Sequence, residues 1–446
     1  ELHQNSSVEQ RVATLPPHTH NMRLNKQILR RISGINRQQA RCMSRWGHVE
    51  MGPKDPIIGV TEAFVEDTNP SKLNLGVGAY RDDQGKPWIL PCVAEASERI
   101  VKQHLPHEYA PIAGFKSFVD KGLKLAYGAD SAVLNSGAVA GIQALSGTGS
   151  LRICGEFISK FAQGKKPDVY VPNPTWGNHI PIMQDSGLVV KKYRYYDHKT
   201  NGVDMAGLLE DISGAPDGSV ILMHVCAHNP TGADPTIEEW KQISELCKQK
   251  GHFIVMDSAY QGFASGDPDV DAASLRMFVE DGHQVALCQS FAKNFGLYGH
   301  RIGTFSIVCE DADEARKVES QLKILARPMY SNPPIQGANI INTILEDPAL
   351  TKQWFDDVKT MADRIIGMRQ MLTDALVEEG SSENWEHINK QIGMFCFSGL
   401  SGEQCDLLAS DHSVYLTRNG RISMAGVTTN NVGYLAKAMV DVRKKA

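Results

Sequence analysis

The stretch VILMHVCAHNPTGADPTIEEWKQISELCKQKGHFIVM, residues 220 to 256, holds the pattern on which the fold turns. Val220 to Val225 is a short, nearly all-apolar run and Phe253 to Met256 is another. Runs of this length rich in branched side chains predict strands buried on both faces. Between them, Thr236 to Lys250 has helical spacing, with Ile237, Trp240, Ile243 and Cys247 gathered on one side. Thr236 with Glu239 three residues on forms a capping box, and Gly251 stands just past the helix end. Strand, helix and strand in that order predict a right-handed crossover between parallel strands.

The same texture extends outward. Val169 to Val171, Val285 to Cys288 and Ile302 to Val308 read as further strands of one sheet, so residues 88–345 are expected to form a large α/β domain with a mostly parallel sheet flanked by helices. From Asp347 onward the chain is more helical, with strand candidates at Met394 to Phe397 and Arg421 to Met424. Residues 346–446 are therefore read as a smaller α+β domain, completed by an N-terminal arm in 44–87. No internal repeat or low-complexity segment is present.

Composition excludes several classes. The 446 residues carry 46 Lys and Arg against 51 Asp and Glu, a net charge of -5, which disfavours nucleic acid as the main partner because clustered cations are what such binding needs. No apolar run approaches the ~20 residues of a membrane-spanning helix. Nine scattered cysteines contain no C-x-x-C pair, so neither a disulfide scaffold nor a zinc framework is expected, and no metal site is read.

The first residues depart from this average. From Gln10 to Val49 there is no acid, yet Arg11, Arg23, Lys26, Arg30, Arg31, Arg37, Arg41 and Arg45 occur there. On a helix, Leu24, Ile28, Leu29, Ile32 and Ile35 fall on one side and Arg23, Lys26, Arg30 and Arg37 on another. An acid-free, Arg-rich amphipathic segment is the mark of a mitochondrial transit peptide, so residues 1–43 are read as a transit peptide with an upstream segment, cut before Ser44, and the mature chain is placed in the mitochondrial matrix. A basic solvated tail is the plainer reading of the same charges.

In open α/β sheets ligands bind beyond the carboxyl ends of the strands. Asn173 and Trp176 follow one strand, His228, Asn229 and Gly232 the next, then Asp257 and Tyr260, then Ser290, Lys293 and Arg301. These types converge on one crevice. Lys293 stands among Phe291, Phe295, Leu297 and Tyr298, an apolar setting that would desolvate an amine and make it nucleophilic. Ser146-Gly147-Thr148-Gly149 precedes a helical run, Leu151 to Phe161, and small hydroxylated residues at a helix start suit an anion. Neither G-x-G-x-x-G nor a P-loop occurs, which removes the main support for a dehydrogenase or nucleotidase.

The string SFAKNFGLYGHRIG, residues 290 to 303, resembles the lysine signature of the class I pyridoxal-phosphate-dependent aminotransferases. The resemblance is strongest to their mitochondrial aspartate-specific branch. It continues through HVEMGPKDPI, LNLGVGAYRDD, YAPIAGF, LSGTGSLRI, HNPTG, DSAYQGFASGD, RPMYSNPP and GRISMAGVT. It implies a fold-type I transferase with pyridoxal 5'-phosphate as cofactor, working as a homodimer with shared active sites. The implied reaction is ping-pong amino transfer between L-aspartate and 2-oxoglutarate, giving oxaloacetate and L-glutamate.

Carried onto matching positions, the resemblance implies that Lys293 holds the cofactor in an imine and then serves as general acid and base. Asp257 would pair with the ring nitrogen, supported by His179. Tyr260 and Asn229 would bond the ring oxygen, and Trp176 would stack on the ring. Ser146, Gly147, Thr148, Ser290 and Arg301 would hold the phosphate, with Tyr109 reaching in from a second subunit. Arg421 would fork onto the substrate α-carboxylate and the partner-contributed Arg327 onto the side-chain carboxylate, as planar guanidinium allows. Gly78 would meet the substrate through its backbone, and Trp176 and Asn229 would touch the substrate too. His300 stands where the animal proteins carry an acid, and the loop Gln163 to Asp168 is short. Alternative readings are a broader-range aminotransferase that takes aromatic amino acids or kynurenine, and a non-catalytic, lipid-carrying role for the scaffold.

Overall fold

The computed structural model describes residues 44–52, 56–162 and 164–445. The expected transit peptide, 1–43, lies outside the described residues. The strand, helix, strand unit forms as read. Val220–His224 lies parallel to Phe253–Ser258 and the helix Ile237–Gln249 connects them. Thr236 caps that helix: its Oγ1 accepts from the Glu239 N–H at 3.3 Å, and the Glu239 carboxylate accepts from the Thr236 N–H at 2.8 Å.

Seven strands make the central sheet. They are β1 (Val139–Ala144), β2 (Val169–Asn173), β3 (Val190–Arg194), β4 (Val220–His224), β5 (Phe253–Ser258), β6 (Ala286–Ser290) and β7 (Gly303–Val308), in the spatial order β1-β7-β6-β5-β4-β2-β3. β7 is antiparallel to both its neighbours, and the other six strands run one way. The mostly parallel α/β sheet expected from the sequence is therefore present. β1 and β3 were not foreseen: β1 (VAGIQA) is interrupted by Gly and Gln, and β3 (VKKYR) is an edge strand with most side chains outward.

Successive residues of the inner strands feed opposite cores. Val220 and Leu222 of β4 join one apolar cluster with Leu151 and Ile153 of the helix Ser146–Phe161, while Ile221 and Met223 join the other with Trp240 and Phe118. Burial on both faces is what made these strands continuous apolar runs in the sequence.

The described residues from Pro56 to Lys445 pack as one compact unit. Within it, the 31-residue helix Pro348–Glu378 packs on Val432–Lys445, Gln336–Glu346 and Pro91–Gln103. Phe395–Phe397 pairs antiparallel with Arg421–Ser423, placing Phe397 opposite Arg421. Leu73–Asn74 pairs in parallel with Val414–Tyr415, so the two ends of this unit share a ladder.

The long helix also fixes the loop that follows β6. Trp354 is fully buried, its indole stacked on Phe295 at 4.7 Å and 10°, and its Nε1 donates to the Asn294 carbonyl at 2.9 Å. Trp354→Ala should therefore cost about 3–5 kcal/mol of stability through cavity and lost contacts, and Trp354→Phe only about 1–3 kcal/mol, mainly the orphaned carbonyl. Denaturant unfolding of both variants checks this ranking, and equal midpoints would contradict it.

Candidate active site

Because six strands run one way, their carboxyl ends share an edge. β7 runs the other way, so its amino end, preceded by Arg301, reaches the same edge. There a cavity of about 170 Å³ is lined by Ser146, Gly147, Thr148, Trp176, His224, Asn229, Asp257, Ala259, Tyr260, Ser290, Lys293 and Arg301. Ten of the residues singled out in the sequence thus meet in one place.

Two small corrections to the reading concern position. Ser146, Gly147 and Thr148 are the first turn of the helix Ser146–Phe161 and do not merely precede it, and Asp257 is a strand residue of β5. The first turn matters because its N–H groups have no partner within the helix. Ser146 Oγ lies 2.8 Å from Ser290 Oγ, bringing two hydroxyls of distant segments onto the same wall as those amides.

Asp257 is buried, with no Lys or Arg bonded to it among the described residues. Its Oδ2 lies 3.1 Å from His179 Nε2, and His179 Nδ1 lies 2.7 Å from Thr175 Oγ1. An ionised carboxylate only accepts, so Nε2 carries the proton and, in the neutral ring, Nδ1 accepts from the Thr175 hydroxyl. Burial pushes the Asp257 carboxyl up, but the His179 hydrogen bond and the nearby His179, His224 and Lys293 outweigh it, and the net displacement is downward. The group is held as a carboxylate.

His224, which the sequence reading passed over, sits opposite Asp257 in the β4–β5 register with its Nε2 3.9 Å from Oδ2. Both its ring nitrogens are buried without a partner. Burial, aided by His179, brings its pKa down to about 3, with Asp257 opposing, and burial also lowers His228. His179, His224 and His228 form a run of neighbouring rings, at 5.1 and 4.5 Å, ending on Tyr195 stacked at 3.9 Å. The signal in the sequence was a lone polar residue inside an apolar strand, which the strand's overall apolarity masked.

Lys293 lies 5.4 Å from the centre of the Tyr260 ring. Burial lowers its pKa, Asp257 opposes that, and Arg301 adds to it. Burial raises the Tyr260 phenol, which therefore keeps its proton. Gly232, at the end of HNPTG, has φ of +68° and a Cβ there would come 2.6 Å from the Phe395 carbonyl, so only glycine lets the Asn229 loop lie against the strand Phe395–Phe397.

Arg421 is buried, donates to the Gly76 carbonyl at 2.8 Å and lies 4.2 Å from the Phe395 ring centre. Its Nε has no partner. Donor capacity is thus left for a carboxylate. Gly78 faces the same ring, since a Cβ there would come 3.0 Å from Phe395 Cζ. Tyr109 and Arg327 do not line the cavity. Tyr109 is 86% exposed, and Arg327 is exposed, bonded to Ser331 at 2.9 Å and pairing with no carboxylate among the described residues. His300 lies in the short helical turn Tyr298–His300 next to Arg301, whose guanidinium donates to the Tyr298 carbonyl at 3.1 Å.

The donor set fits pyridoxal 5'-phosphate: hydroxyls, free helix amides and Arg301 suit a phosphate, Asp257 suits a cationic ring nitrogen, and a buried lysine amine suits an aldehyde. Arranged so, the cavity can hold an anion, keep one carboxylate charged and present an amine with a lowered proton affinity.

Comparison with known proteins agrees with this chemistry. Residues 70–439 match the family model for aminotransferase class I and II. A mitochondrial aspartate aminotransferase of Dictyostelium discoideum is 57% identical over 399 residues, covering 90% of this chain and 93% of its own. The cytoplasmic aspartate aminotransferase of Saccharomyces cerevisiae superposes with a TM-score of 0.87 at 43% identity, covering 90% of this chain and 99% of that one. An aromatic-amino-acid aminotransferase from Burkholderia pseudomallei, covalently bound to pyridoxal phosphate, superposes with a TM-score of 0.87 at 39% identity, covering 90% and 100%. With the family model spanning most of its length and a relative this similar over nine-tenths of it, the chain belongs to the class I and II aminotransferases.

Proposed function

We propose that this chain catalyses reversible, ping-pong amino transfer between L-aspartate and 2-oxoglutarate, giving oxaloacetate and L-glutamate, with pyridoxal 5'-phosphate held on Lys293. The observation that carries the reading is the meeting of a charged Asp257, a desolvated Lys293 and an anion-binding wall in one cavity, with the buried Arg421 nearby. When bound, the cofactor supplies an electron-withdrawing ring that stabilises negative charge at the substrate α-carbon.

The protein's share follows from its residues. Asp257, kept ionised by His179, holds a proton on the ring nitrogen. Ser146, Gly147, Thr148, Ser290 and Arg301 take the phosphate, Asn229 and the protonated Tyr260 take the ring oxygen, and Trp176 covers the ring. Lys293 would be the group that moves a proton at the substrate α-carbon; its lowered pKa leaves a larger neutral fraction to accept that proton. Arg421 grips the α-carboxylate.

The second carboxylate of the substrate is assigned to Arg327 of a partner subunit in a homodimer. Support comes from the exposure of Arg327 and Tyr109 and from exposed apolar neighbours, Ile324 and Met329, on the same helix. The division into 44–87, 88–345 and 346–446 belongs to the same proposal, with Lys293 on the larger part and Arg421 on the smaller. The acid-free, Arg-rich start and a mitochondrial relative support the mitochondrial matrix.

Three measurements test these assignments. Purified chain with added cofactor should turn over aspartate and 2-oxoglutarate, and Lys293→Ala should abolish both turnover and the visible band of bound cofactor; normal turnover by that variant would refute the mechanism. Arg327→Ala should lower kcat/KM for aspartate on the order of 100-fold, the scale of one lost buried charge pair, while sparing phenylalanine. An equal loss for both substrates would favour the broader-range reading. In the third, His224 accepts protons in the unfolded chain near the usual pKa of 6.5 but in the fold only near 3. Stability should therefore fall as pH drops from about 6.5 toward 3, and His224→Phe should flatten that fall in denaturant titrations.

A further inference from the structure

Arg369 is, like Arg421, a buried arginine without a carboxylate partner among the described residues, but it holds three carbonyls where Arg421 holds one. Arg369 belongs to the helix Pro348–Glu378 and is 2% exposed. Its guanidinium instead donates to three main-chain carbonyls of one segment: Ile388 at 2.9 Å, Gly393 at 2.9 Å and Phe395 at 2.6 Å. Its Nε is left without a partner. Taking a cation out of water is costly, and neutral carbonyls return only part of what an acid would. Stability alone is a weak reason to keep this arrangement; what it fixes is the path of the backbone it holds.

That path leads to the site. The segment 388–395 leads into the strand Phe395–Phe397, whose partner strand begins with Arg421. Phe395 is the hub: its ring lies 4.2 Å from the Arg421 guanidinium carbon, 6.3 Å edge-on from Tyr260, and against Gly78. The same segment meets the Asn229 loop, since the Ile392 N–H donates to the Gly232 carbonyl at 2.8 Å. Three carbonyls drawn to one planar, five-donor group fix the path of this backbone in a way that a single bond could not.

We propose that Arg369 is a positioning residue for substrate binding: by gathering the carbonyls of Ile388, Gly393 and Phe395 it sets the Phe395 ring, and through that ring it aims Arg421 at the substrate α-carboxylate. The inference rests on the functional reading above, in which Arg421 takes that carboxylate. It acts on binding and not directly on proton transfer, because the bonds of Arg369 go to the Ile388, Gly393 and Phe395 carbonyls and none to Lys293 or Asp257.

The test compares holoenzymes of wild type, Arg369→Lys, Arg369→Met and Phe395→Leu. Succinate, a dicarboxylate that cannot transaminate, is titrated against the bound-cofactor absorbance, and KM and kcat are measured for aspartate. Arg369→Met should weaken succinate and raise aspartate KM about 10-fold or more, the scale set by sub-ångström misplacement of a binding group. The cofactor band and its pH titration should stay as in wild type. Arg369→Lys should recover part of the loss. Phe395→Leu should reproduce the loss, and adding Arg369→Lys to it should weaken succinate less than the two single effects combined, as expected of residues acting in series. Succinate affinity within twofold of wild type in Arg369→Lys and in Arg369→Met would overturn the proposal. If Arg369→Met does not fold, the cycle of Arg369→Lys with Phe395→Leu decides, and full additivity overturns it. Wild-type chain inactive on aspartate would instead overturn the functional reading, which separates the two failures.

Discussion

A single negative charge, kept inside an apolar core, is the constraint to which the rest of the site answers. Asp257 is the last residue but one of a strand that is buried along most of its length, where a carboxyl would ordinarily take up a proton. The imidazole of His179 does most to prevent this: it directs its N–H to the carboxylate and is itself held by Thr175, while burial holds the proton affinities of His224 and His228 down. The charged oxygen pair faces the same cavity as Lys293, where it opposes the burial that lowers the proton affinity of that amine.

The parallel sheet turns that local condition into a site. Six co-directional strands end on one edge, and the one reversed strand brings its amino end there, so residues as distant as Ser146 and Ser290 come within hydrogen-bond range. Arg421 arrives by a different route, on a two-strand ladder with Phe397 opposite it, and owes its place to a ring and a carbonyl more than to any charge.

Much of this was legible in the sequence because its causes are local or periodic. β4, β5 and the helix between them announced themselves through continuous apolar runs, a capping box and a terminal glycine, and the residues after each strand named most of the cavity. What escaped had causes that no local pattern carries. β1 and β3 are made strands by their neighbours, not by their own composition. His224 was hidden by the apolar residues around it, and its importance lies in a cross-strand register. Phe395 and Arg369 matter through contacts between segments far apart in the chain, and a buried arginine satisfied by carbonyls leaves no acidic partner to flag it. The segment 1–43 was read from charge and spacing, and its shape lies outside the described residues.

The helix Pro348–Glu378 holds both the lysine loop and the strand that packs against Arg421 by its own side chains: Trp354 grips the carbonyl next to Lys293, and Arg369 grips the carbonyl of Phe395. Fifteen residues separate the two grips, about 22 Å of one helix. A displacement of this helix along its axis therefore carries the lysine loop and the Phe395 wall together, as a shared offset that leaves the gap between them unchanged. The site is in this sense insensitive to jitter in its own support, and only a bend within those four turns would register as a change in the distance across which substrate is held.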